Sequence, residues 1–381
     1  MVRVILLIDC ASEFDRKLLR GMMRYSRENG PWLFYRMPSG FKWGEDREEW
    51  ILEWARTWKA DAIIGRWDEV KVNLLSRLNI PIVLQNNNTR SDIYSNLTGD
   101  YEGTGRMAAS YFRKKLFRDY AFFGIKDIIW SEERCSGFKD EVLKSGGRFR
   151  SYLVEPSDMD DRQKITAWLN SLPKPVAMFC CDDAHALVIT ETCKMAGIRI
   201  PEDVSLLGVD NDDLLCNISD PPISSIDLDV ENGGYMTCRH LHEYLEGKRT
   251  APFNVVINPT GIVQRKSSLL YNISDPYVEK IMKYIDEMYD TDLQVDELFG
   301  MVPLSRRSIE MRFKSETGTT VYQYIISSRV EHFAYLLATT DRPVTDIAYE
   351  VGFKDSSNIA RIFKKFKGCS PVEYRRKNCV Y

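Results

Sequence analysis

The sequence predicts an α/β fold with parallel sheets, followed by an all-α domain that carries two helix-turn-helix motifs. Three observations lead to this prediction. Short buried strands alternate with amphipathic helices through the first two thirds of the chain, every segment after residue 276 has helical periodicity, and two helix-turn-helix patterns lie in that helical part. A chain of 381 residues also exceeds one ordinary core, so several domains are expected.

The α/β part begins with a β-branched and leucine-rich run at residues 2–8, which predicts a buried strand, and helical periodicity follows at 15–27. Further strands are predicted at 62–65, 82–84, 120–124, 177–181 and 204–209, and further helices at 102–115, 134–144 and 184–195. This alternation implies right-handed crossovers and parallel sheets with helices on both faces.

The helical part begins where Asp275 and Pro276 supply a capping residue and a proline at a helix start. Helices are predicted at 277–288, 295–299, 305–316, 322–337, 344–350, 356–366 and 371–377. The predicted domains are therefore 1–270 for the α/β part, a linker at 271–276, and 277–381 for the helical part.

The second helix-turn-helix is the more complete motif. Gly352 permits a left-handed turn between two helices, and Ala348 lies where those helices cross closely. A small core is predicted from Ile347, Ala348, Val351, Phe353, Ile359 and Phe363. The residues left on the outer face are Ser356, Ser357, Asn358 and Arg361. Early positions of such a helix contact base edges in duplex DNA, and Arg361 suits guanine or a phosphate.

The first helix-turn-helix covers residues 293–314 and has Ile309 and Phe313 on its inner face. The outward candidates for DNA contact are Arg306, Arg307, Glu310 and Met311, of which Arg307 is the strongest. The helix predicted at 322–337 then acts as a rigid spacer, which places the two reading helices about one duplex turn, ~34 Å, apart.

Net charge is −3, which by itself argues against a nucleic-acid partner. The charge is unevenly distributed, however, because residues 354–377 contain eight Lys and Arg against two acids, a local excess of six. Phosphate contacts need a local patch and not a basic protein. The basic run coincides with the second helix-turn-helix, so duplex DNA is the predicted partner.

Asp and Asn residues are concentrated where the predicted strands end. They are Asp9, Asp68, Asn86, Asn87, Asn88, Asp182, Asp183, Asp210, Asn211, Asp212 and Asp213. In open parallel sheets a ligand binds beyond these strand ends. Carboxylates and amides bind vicinal hydroxyls, and an aromatic ring stacks on a sugar, so a small neutral sugar is predicted. The alternative is that each Asp or Asn caps the following helix.

The sequence gives little support for catalysis. It has no Walker loop, no Gly-x-Ser-x-Gly elbow and no Cys-x-x-Cys spacing, and His240 and His242 face apart on a predicted helix. We therefore predict no catalytic residues, no metal and no cofactor, and a chain that is not an enzyme. The nine cysteines are interpreted as reduced thiols. No apolar run has the length of a membrane span, so a cytoplasmic protein is expected.

The C-terminal part resembles the AraC-type transcription regulators from Pro276 to Lys377. The resemblance depends on Gly352-Phe353, on Phe363 with the two lysines after it, and on Gly368, Pro371, Tyr374 and Arg375. It implies that Arg307, Glu310 and Met311 in the first reading helix, and Ser356, Ser357 and Arg361 in the second, face DNA. Ile359 stands where many members have an aromatic core residue, a conservative packing change.

The front part resembles the effector domains of LacI-type repressors, which are similar to periplasmic sugar-binding proteins. The resemblance depends on residues 198–211, on 222–226, and on Asp100, Gly103, Gly105 and Ala108. It implies a periplasmic-binding-protein-like fold of two lobes with the sugar in the cleft between them. The implied sugar contacts are Asp9 and Phe14 from one lobe and Arg134, Asp182 and Asp210 from the other.

The order of the two domains resembles the XylR-type subgroup of regulators. That resemblance implies a pentose effector, a homodimer, and an activator that acts with RNA polymerase. The predicted mechanism is a population shift, in which sugar favours the closed cleft and alters the separation of the DNA-binding domains in the dimer. One alternative is a regulator whose front domain binds no ligand and senses through a partner, and a less favoured one is a sugar-acting enzyme.

Overall fold

The computed structural model describes residues 1–8, 11–36, 47–66, 76–85, 89–155, 158, 161–288, 293, 295–353 and 356–378. Within these ranges the chain forms two six-stranded sheets flanked by helices, and a separate group of helices toward the C-terminus. The predicted fold class, two α/β lobes followed by an all-α domain, is confirmed.

The described residues of the first lobe form six strands and three helices. They are β1 (Val2–Leu7), β2 (Trp32–Arg36), β3 (Ala62–Gly65), β4 (Ile82–Leu84), β5 (Ser95–Gly99), β11 (Asn254–Ile257), α1 (Glu13–Asn29), α2 (Arg47–Trp58) and α8 (Val230–Leu245). The strand order is β11-β5-β4-β3-β1-β2, and all neighbours are parallel. The buried run in β1 is continuous because α2 packs on one face of the sheet and α1 on the other.

The second lobe repeats this plan. Its elements are β6 (Asp119–Ile125), β7 (Arg148–Val154), β8 (Val176–Cys180), β9 (Val204–Val209), β10 (Ser224–Leu228), β12 (Pro259–Val263), α3 (Tyr101–Lys114), α4 (Ile129–Lys144), α5 (Arg162–Ser171), α6 (Asp183–Ala196) and α7 (Asp213–Ile218). The order is β12-β10-β9-β8-β6-β7, parallel except for the β10–β12 pair. Phenylalanines of α3 and α4 pack on one face of this sheet, and α5 and α6 cover the other.

The chain crosses between the lobes three times: after β5, after β10, and between β11 and β12. Two glycines bring α1 and α8 of the first lobe into backbone contact. A Cβ on Gly21 would lie 1.7 Å from the carbonyl oxygen of Glu231, and one on Gly234 would lie 2.1 Å from that of Leu18. These helices therefore pack as one rigid layer behind the first sheet.

The helical domain contains α9 (Pro276–Glu287), α10 (Val295–Gly300), α11 (Arg306–Thr317), α12 (Val321–Thr339), α13 (Val344–Glu350), α14 (Ser356–Lys367) and α15 (Pro371–Asn378). Each helix lies within two residues of its predicted bounds. The caps explain this accuracy, because the Asp275, Ser305 and Thr320 side chains each accept a hydrogen bond from the first turn of a helix. Tyr271, which sequence assigned to the linker, is 3% exposed and packs into the first helical core.

Long helix α12 belongs to two separate cores. Ile325 packs with the helices of the first helix-turn-helix, whereas the core of the second starts at the next residue, Ile326. The second core contains all six residues predicted for it: Ile347, Ala348, Val351, Phe353, Ile359 and Phe363. Gly352 has φ +85°, as the predicted left-handed turn requires. The connecting role of the helix at 322–337 is therefore confirmed.

The α/β part agrees less closely with the predicted bounds. Helix α4 begins at Ile129, five residues before the predicted start, and Ile128 before it offers no side-chain cap. Several strands were not predicted, among them β5, whose sequence SNLTG is polar although all five residues are buried. No helix in the described ranges is long and apolar enough to cross a membrane. The seven described cysteines are free.

Candidate functional site

Arg134 of α4 is the centre of a polar cluster at the strand ends of the second lobe. It is 3% exposed, and Nη1 donates to the carbonyl oxygen of Cys181, just after β8. Its Nη2 lies 3.8 Å from Oδ1 of Asp210, which follows β9. Among the described residues, Arg134 Nε and Asp210 Oδ1 are buried and lack a hydrogen-bond partner. Buried polar atoms without partners are costly, which favours a polar ligand at this position.

The turn that carries Asp210 is held in an uncommon backbone conformation. Asp210 has φ +100° and Asn211 has φ +49°, which costs conformational energy for any residue except glycine. The Asp183 carboxylate fixes the turn, because it accepts from the Asp212 backbone N–H at 2.8 Å and from the Ser225 hydroxyl at 2.7 Å. Burial raises the pKa of Asp183 well above its usual range. Asp183 therefore supports the site and does not face a ligand.

The charge on Asp210 is poorly compensated. Burial, with a smaller contribution from Asp182, raises the pKa of its carboxyl to about 6, although Arg134, Lys17 and Arg66 favour the charged form. The group is thus ionised at neutral pH, and its Oδ1 has no hydrogen-bond partner among the described residues. Hydroxyl donors on a ligand would stabilise that charge.

Asp182 caps α6, as the alternative interpretation of the strand-end residues proposed. Its Oδ1 accepts from the backbone N–H of His185 at 2.7 Å and lies 2.6 Å from the His185 ring Nδ1. Burial disfavours the charged ring, but the Asp182 carboxylate favours it, and the pKa of His185 lies well above its usual value. His185 Nε2 is buried without a hydrogen-bond partner in the described part of the chain. The ion pair therefore presents a second unused donor beside Arg134.

Three aromatic rings border the cluster. The Arg134 guanidinium lies 5.6 Å from the ring centres of both Tyr101 and Trp130, and Trp130 also lies against the His185 ring. Phe14, from the first turn of α1 in the other lobe, lines a small cavity together with Tyr101. Rings with polar groups between them are the usual walls of a sugar site. Of these three, only Phe14 was predicted from sequence.

Ion pairs join the two lobes beside the cluster. Lys17 of the first lobe donates to the Asp210 carbonyl at 2.9 Å and to the Asp227 carboxylate at 2.7 Å. Arg90 forms a two-pronged pair with Glu133 at 2.5 and 2.7 Å. The structure therefore shows the lobes in contact across the cleft, with the polar cluster enclosed between them.

Some predicted residues cannot be placed in this site. Asp9, and the strand-end residues at 67–68 and 86–88, lie outside the described residues. Of the predicted sugar contacts that are described, Arg134 and Asp210 lie together, Asp182 lies beside them as a helix cap, and Phe14 approaches from the opposite lobe.

One group in the described ranges has the composition of a metal site. Donor atoms of Cys181, Asp182 and His185 lie within 4.8 Å of one another. Burial raises the pKa of the Cys181 thiol, so a metal ion would have to displace the thiol proton in order to bind the sulfur. The Asp182 carboxylate is already used by the helix cap and the ring. The geometry suits a hydrogen-bonding group better than a resident metal.

The first helix-turn-helix exposes the residues predicted to face DNA. Arg306, Arg307 and Met311 are exposed on α11, with Met311 at 66%, and Glu310 is half-buried. Arg306 is engaged within the domain, since its guanidinium lies 3.0 Å from Asp296. Arg307 remains the stronger candidate for DNA contact.

The second helix-turn-helix has its basic face opposite its core. Ile359 and Phe363 of α14 point inward, whereas Arg361, Lys364 and Lys365 are exposed. Ser356, Ser357 and Asn358 lie in the first turn of α14, but their side chains are outside the described part of the structure. A basic face on a helix next to a glycine turn is suited to the major groove.

Comparisons with known proteins agree with this division of the chain. Residues 109–268 match the periplasmic binding protein-like domain, and residues 299–377 match a helix-turn-helix domain. The chain therefore combines a periplasmic-binding-protein-like domain with a C-terminal AraC-type helix-turn-helix domain, and the predicted family resemblances are confirmed.

Full-length relatives share this combination. A xylose operon regulatory protein of Haemophilus influenzae is 26% identical over 394 residues, which cover 99% of this chain and 98% of the relative. The solved structure of the xylose-binding transcription activator xylR shares the fold, with a TM-score of 0.60 at 23% identity over 99% of this chain and 98% of that one. A LacI-family regulator of Enterococcus faecium, with bound ribose, covers 70% of this chain and 98% of its own at 18% identity and a TM-score of 0.58.

Proposed function

We propose that this chain is a sugar-responsive transcription regulator that binds a pentose, with D-xylose as the leading candidate, between its two lobes and binds operator DNA through both helix-turn-helix motifs. The observation that supports the sugar half is that Arg134 Nε, Asp210 Oδ1 and His185 Nε2 are buried without a hydrogen-bond partner among the described residues. The DNA half is supported by the basic face of α14 and by the family match over residues 299–377.

A neutral ligand fits the charges of the cleft. Four described cations at its edge each have an acid within ion-pair distance. The pairs are Arg66 with Asp15 at 3.2 Å, Lys17 with Asp227 at 2.7 Å, Arg90 with Glu133 at 2.5 Å, and Arg134 with Asp210 at 3.8 Å. A phosphorylated sugar would require cations with spare charge.

The proposed mechanism is a shift toward the closed cleft. Sugar held by Arg134 and Asp210 of the second lobe, and covered by Phe14 of the first, would add to the ion pairs that already join the lobes. In a homodimer, closure of the cleft would change the spacing of the two DNA-binding domains. In an activator of pentose genes, this change in spacing would alter the position of the dimer relative to RNA polymerase.

Calorimetry of the full chain with D-xylose, D-ribose, L-arabinose, D-glucose and D-xylose 5-phosphate tests this proposal. Binding of one free pentose, with no heat from the phosphate ester, is the expected result. Binding of none of the five, together with an intact DNA footprint, would support the alternative in which the front domain senses through a protein partner. Turnover of a bound sugar would support an enzyme instead.

Sugar affinity should depend on pH through Asp210. The folded protein holds this carboxyl at a pKa of about 6, and sugar hydroxyls bind its ionised form, so binding below pH 6 must release a proton. We expect the Kd to be constant above pH 7 and to rise about tenfold per pH unit well below 6. Calorimetric titrations from pH 5 to 8, in buffers of different ionisation enthalpy, measure both the Kd and the number of protons released on binding. A Kd that stays constant down to pH 5 would exclude the Asp210 carboxylate as a ligand.

A further inference from the structure

Helix α3 begins in the proposed sugar cleft. Asp100 caps it, and Tyr101 in its first turn faces the Arg134 guanidinium at 5.6 Å. The same ring lines a small cavity with Phe14 of the opposite lobe. A ligand that contacts Arg134 therefore lies next to the first turn of α3.

Helix α3 and helix α4, which carries Arg134, are in backbone contact. A Cβ on Gly105 would lie 2.2 Å from the carbonyl oxygen of Arg134, and a Cβ on Gly137 would lie 2.1 Å from that of Glu102. With no side chains between them, the two helices cannot slide independently. A displacement of Arg134 is therefore passed directly to α3.

The far end of α3 reaches the second helix-turn-helix. The helix has 14 residues, which spans about 21 Å. Lys114 in its last turn forms an ion pair with Glu331 of α12 at 2.7 Å, and Glu331 also pairs with Lys367 of reading helix α14 at 2.5 Å. Burial opposes the charge on Glu331, but the two lysines outweigh it and lower the pKa of the carboxyl to about 2. The Glu331 carboxylate therefore stays charged at physiological pH.

The next residue reaches the first helix-turn-helix. The Lys115 carbonyl accepts from the Asn272 backbone N–H at 2.9 Å, and its Nζ lies 4.1 Å from the ring centre of Tyr271. Tyr271 in turn donates to Asp286 of α9, which also accepts from Ser328 of α12 at 3.1 Å. The end of α3 thus contacts elements of both halves of the DNA-binding domain.

The contact between the two domains is narrow. A cavity of about 1650 Å³ lies between the second lobe and the helical domain, and Lys114, Glu331 and Arg361 all line it. A second close approach lies on β12, where a Cβ on Gly261 would meet the Tyr335 ring at 2.3 Å. Because this cavity lies beside the Lys114–Glu331 pair, a small movement of α3 is able to change how the domains dock.

We infer that α3 is the element through which sugar in the cleft controls the DNA-binding domain, and that the Lys114–Glu331 pair is the docking contact that it moves. The inference rests on the proposed function. Bound sugar displaces Arg134, and the displacement of Arg134 moves α3. The movement of Lys114 then changes the electrostatic interaction of Glu331 with Lys367 in the reading helix. The cleft and the reading surface are thus linked by one helix of the same chain.

Lys114→Gln in the full chain tests this link. The measured quantity is the ratio of operator Kd without and with saturating D-xylose, on a fragment selected from random DNA by the wild-type protein. A wild-type ratio of about tenfold, within the usual range of allosteric coupling, is expected to fall to about twofold or less. The Kd for D-xylose in the absence of DNA should stay unchanged, since Lys114 lies at the far end of α3.

Two further variants accompany it. Gly261→Val forces Tyr335 aside at the other docking contact without removing a charge, and should also reduce the ratio. Lys194→Gln removes an exposed ion pair of similar length, with Asp220 of the same lobe at 2.8 Å, and should keep the wild-type ratio. If Lys114→Gln keeps the wild-type ratio, the inference is wrong. A wild-type protein without any D-xylose heat or effect would instead overturn the proposed function.

Discussion

Asp210→Asn is expected to lower sugar affinity about 100-fold while leaving operator affinity without sugar unchanged. The carboxylate has a buried oxygen without a hydrogen-bond partner among the described residues, so it offers a sugar charge-assisted hydrogen bonds worth about 1.5–3 kcal/mol each. Asparagine has the same shape and tolerates a positive φ, so the turn at φ +100° is preserved. Asp210→Ala should also abolish the effect of sugar on operator affinity, and it should in addition destabilise the turn. Calorimetry and operator titration measure the two affinities.

Thermal stability separates a ligand-binding role from a structural one. Burial raises the pKa of Asp210 to about 6, above its value in an unfolded chain, so the folded state binds this proton more tightly. The ionised carboxylate therefore destabilises the sugar-free protein above pH 6. This destabilisation disappears as the pH falls below the pKa that the carboxyl has in the unfolded chain. Asp210→Asn should raise the Tm at pH 7.5 and leave it little changed at pH 4.

Asp213→Asn is the matched control, because Asp213 is exposed in α7 and its carboxylate accepts only from the nearby Asn217 amide among the bonds described. It should change neither sugar affinity nor the Tm. A fall in the Tm of Asp210→Asn at pH 7.5, together with lost binding, would show that Asp210 supports the fold and does not bind the ligand.

The DNA end of the chain was predictable because its signals are local. Helix caps such as Ser305 and Thr320, the glycine turn at Gly352, and the 3.6-residue spacing of Ile359 and Phe363 each act within a few residues of one another. Side-chain caps also fix helix ends, which are otherwise the least certain part of a prediction. Sequence could not show that Arg306 pairs with Asp296, since that depends on how two helices meet.

The cleft was predicted only in part because it is assembled from distant segments. Asp182 and Asp210 were visible as acids after buried strands, and Arg134 entered through family resemblance. Tyr101 and Trp130 were missed because each precedes the predicted start of its helix, at residue 102 and at residue 134. An aromatic residue in the first turn after a strand end is a signal that could have identified both.

The structural role of Asp183 shows a further limit of the sequence pattern. Asp182 and Asp183 are adjacent acids after the same strand, yet one caps α6 at the edge of the cluster and the other is 1% exposed beneath the Asp210 turn. Alternation along the chain turns their side chains in different directions. Sequence alone gives the pair but not which member faces the ligand.

Arg361→Ala is expected to weaken operator binding by about 1–3 kcal/mol while leaving the sugar Kd unchanged. Arg361 is exposed on α14, on the side opposite the Phe363 core, with Lys364 and Lys365 beside it. A guanidinium at this position can pair with the O6 and N7 atoms of guanine. The loss should therefore be larger for the selected operator than for random duplex. Titration of both DNA fragments at several salt concentrations measures the difference.

The salt dependence distinguishes the two contacts that Arg361 can make. If it reads a base, specificity relaxes and the slope of log Kd against log salt changes little; if it binds a phosphate, affinity falls on every sequence and the slope decreases by about one. Arg148→Ala is the matched control, since this exposed arginine pairs with Asp119 in the second lobe and should have no effect on DNA. Operator affinity that is the same for Arg361→Ala and wild type would remove α14 from the reading surface at this position.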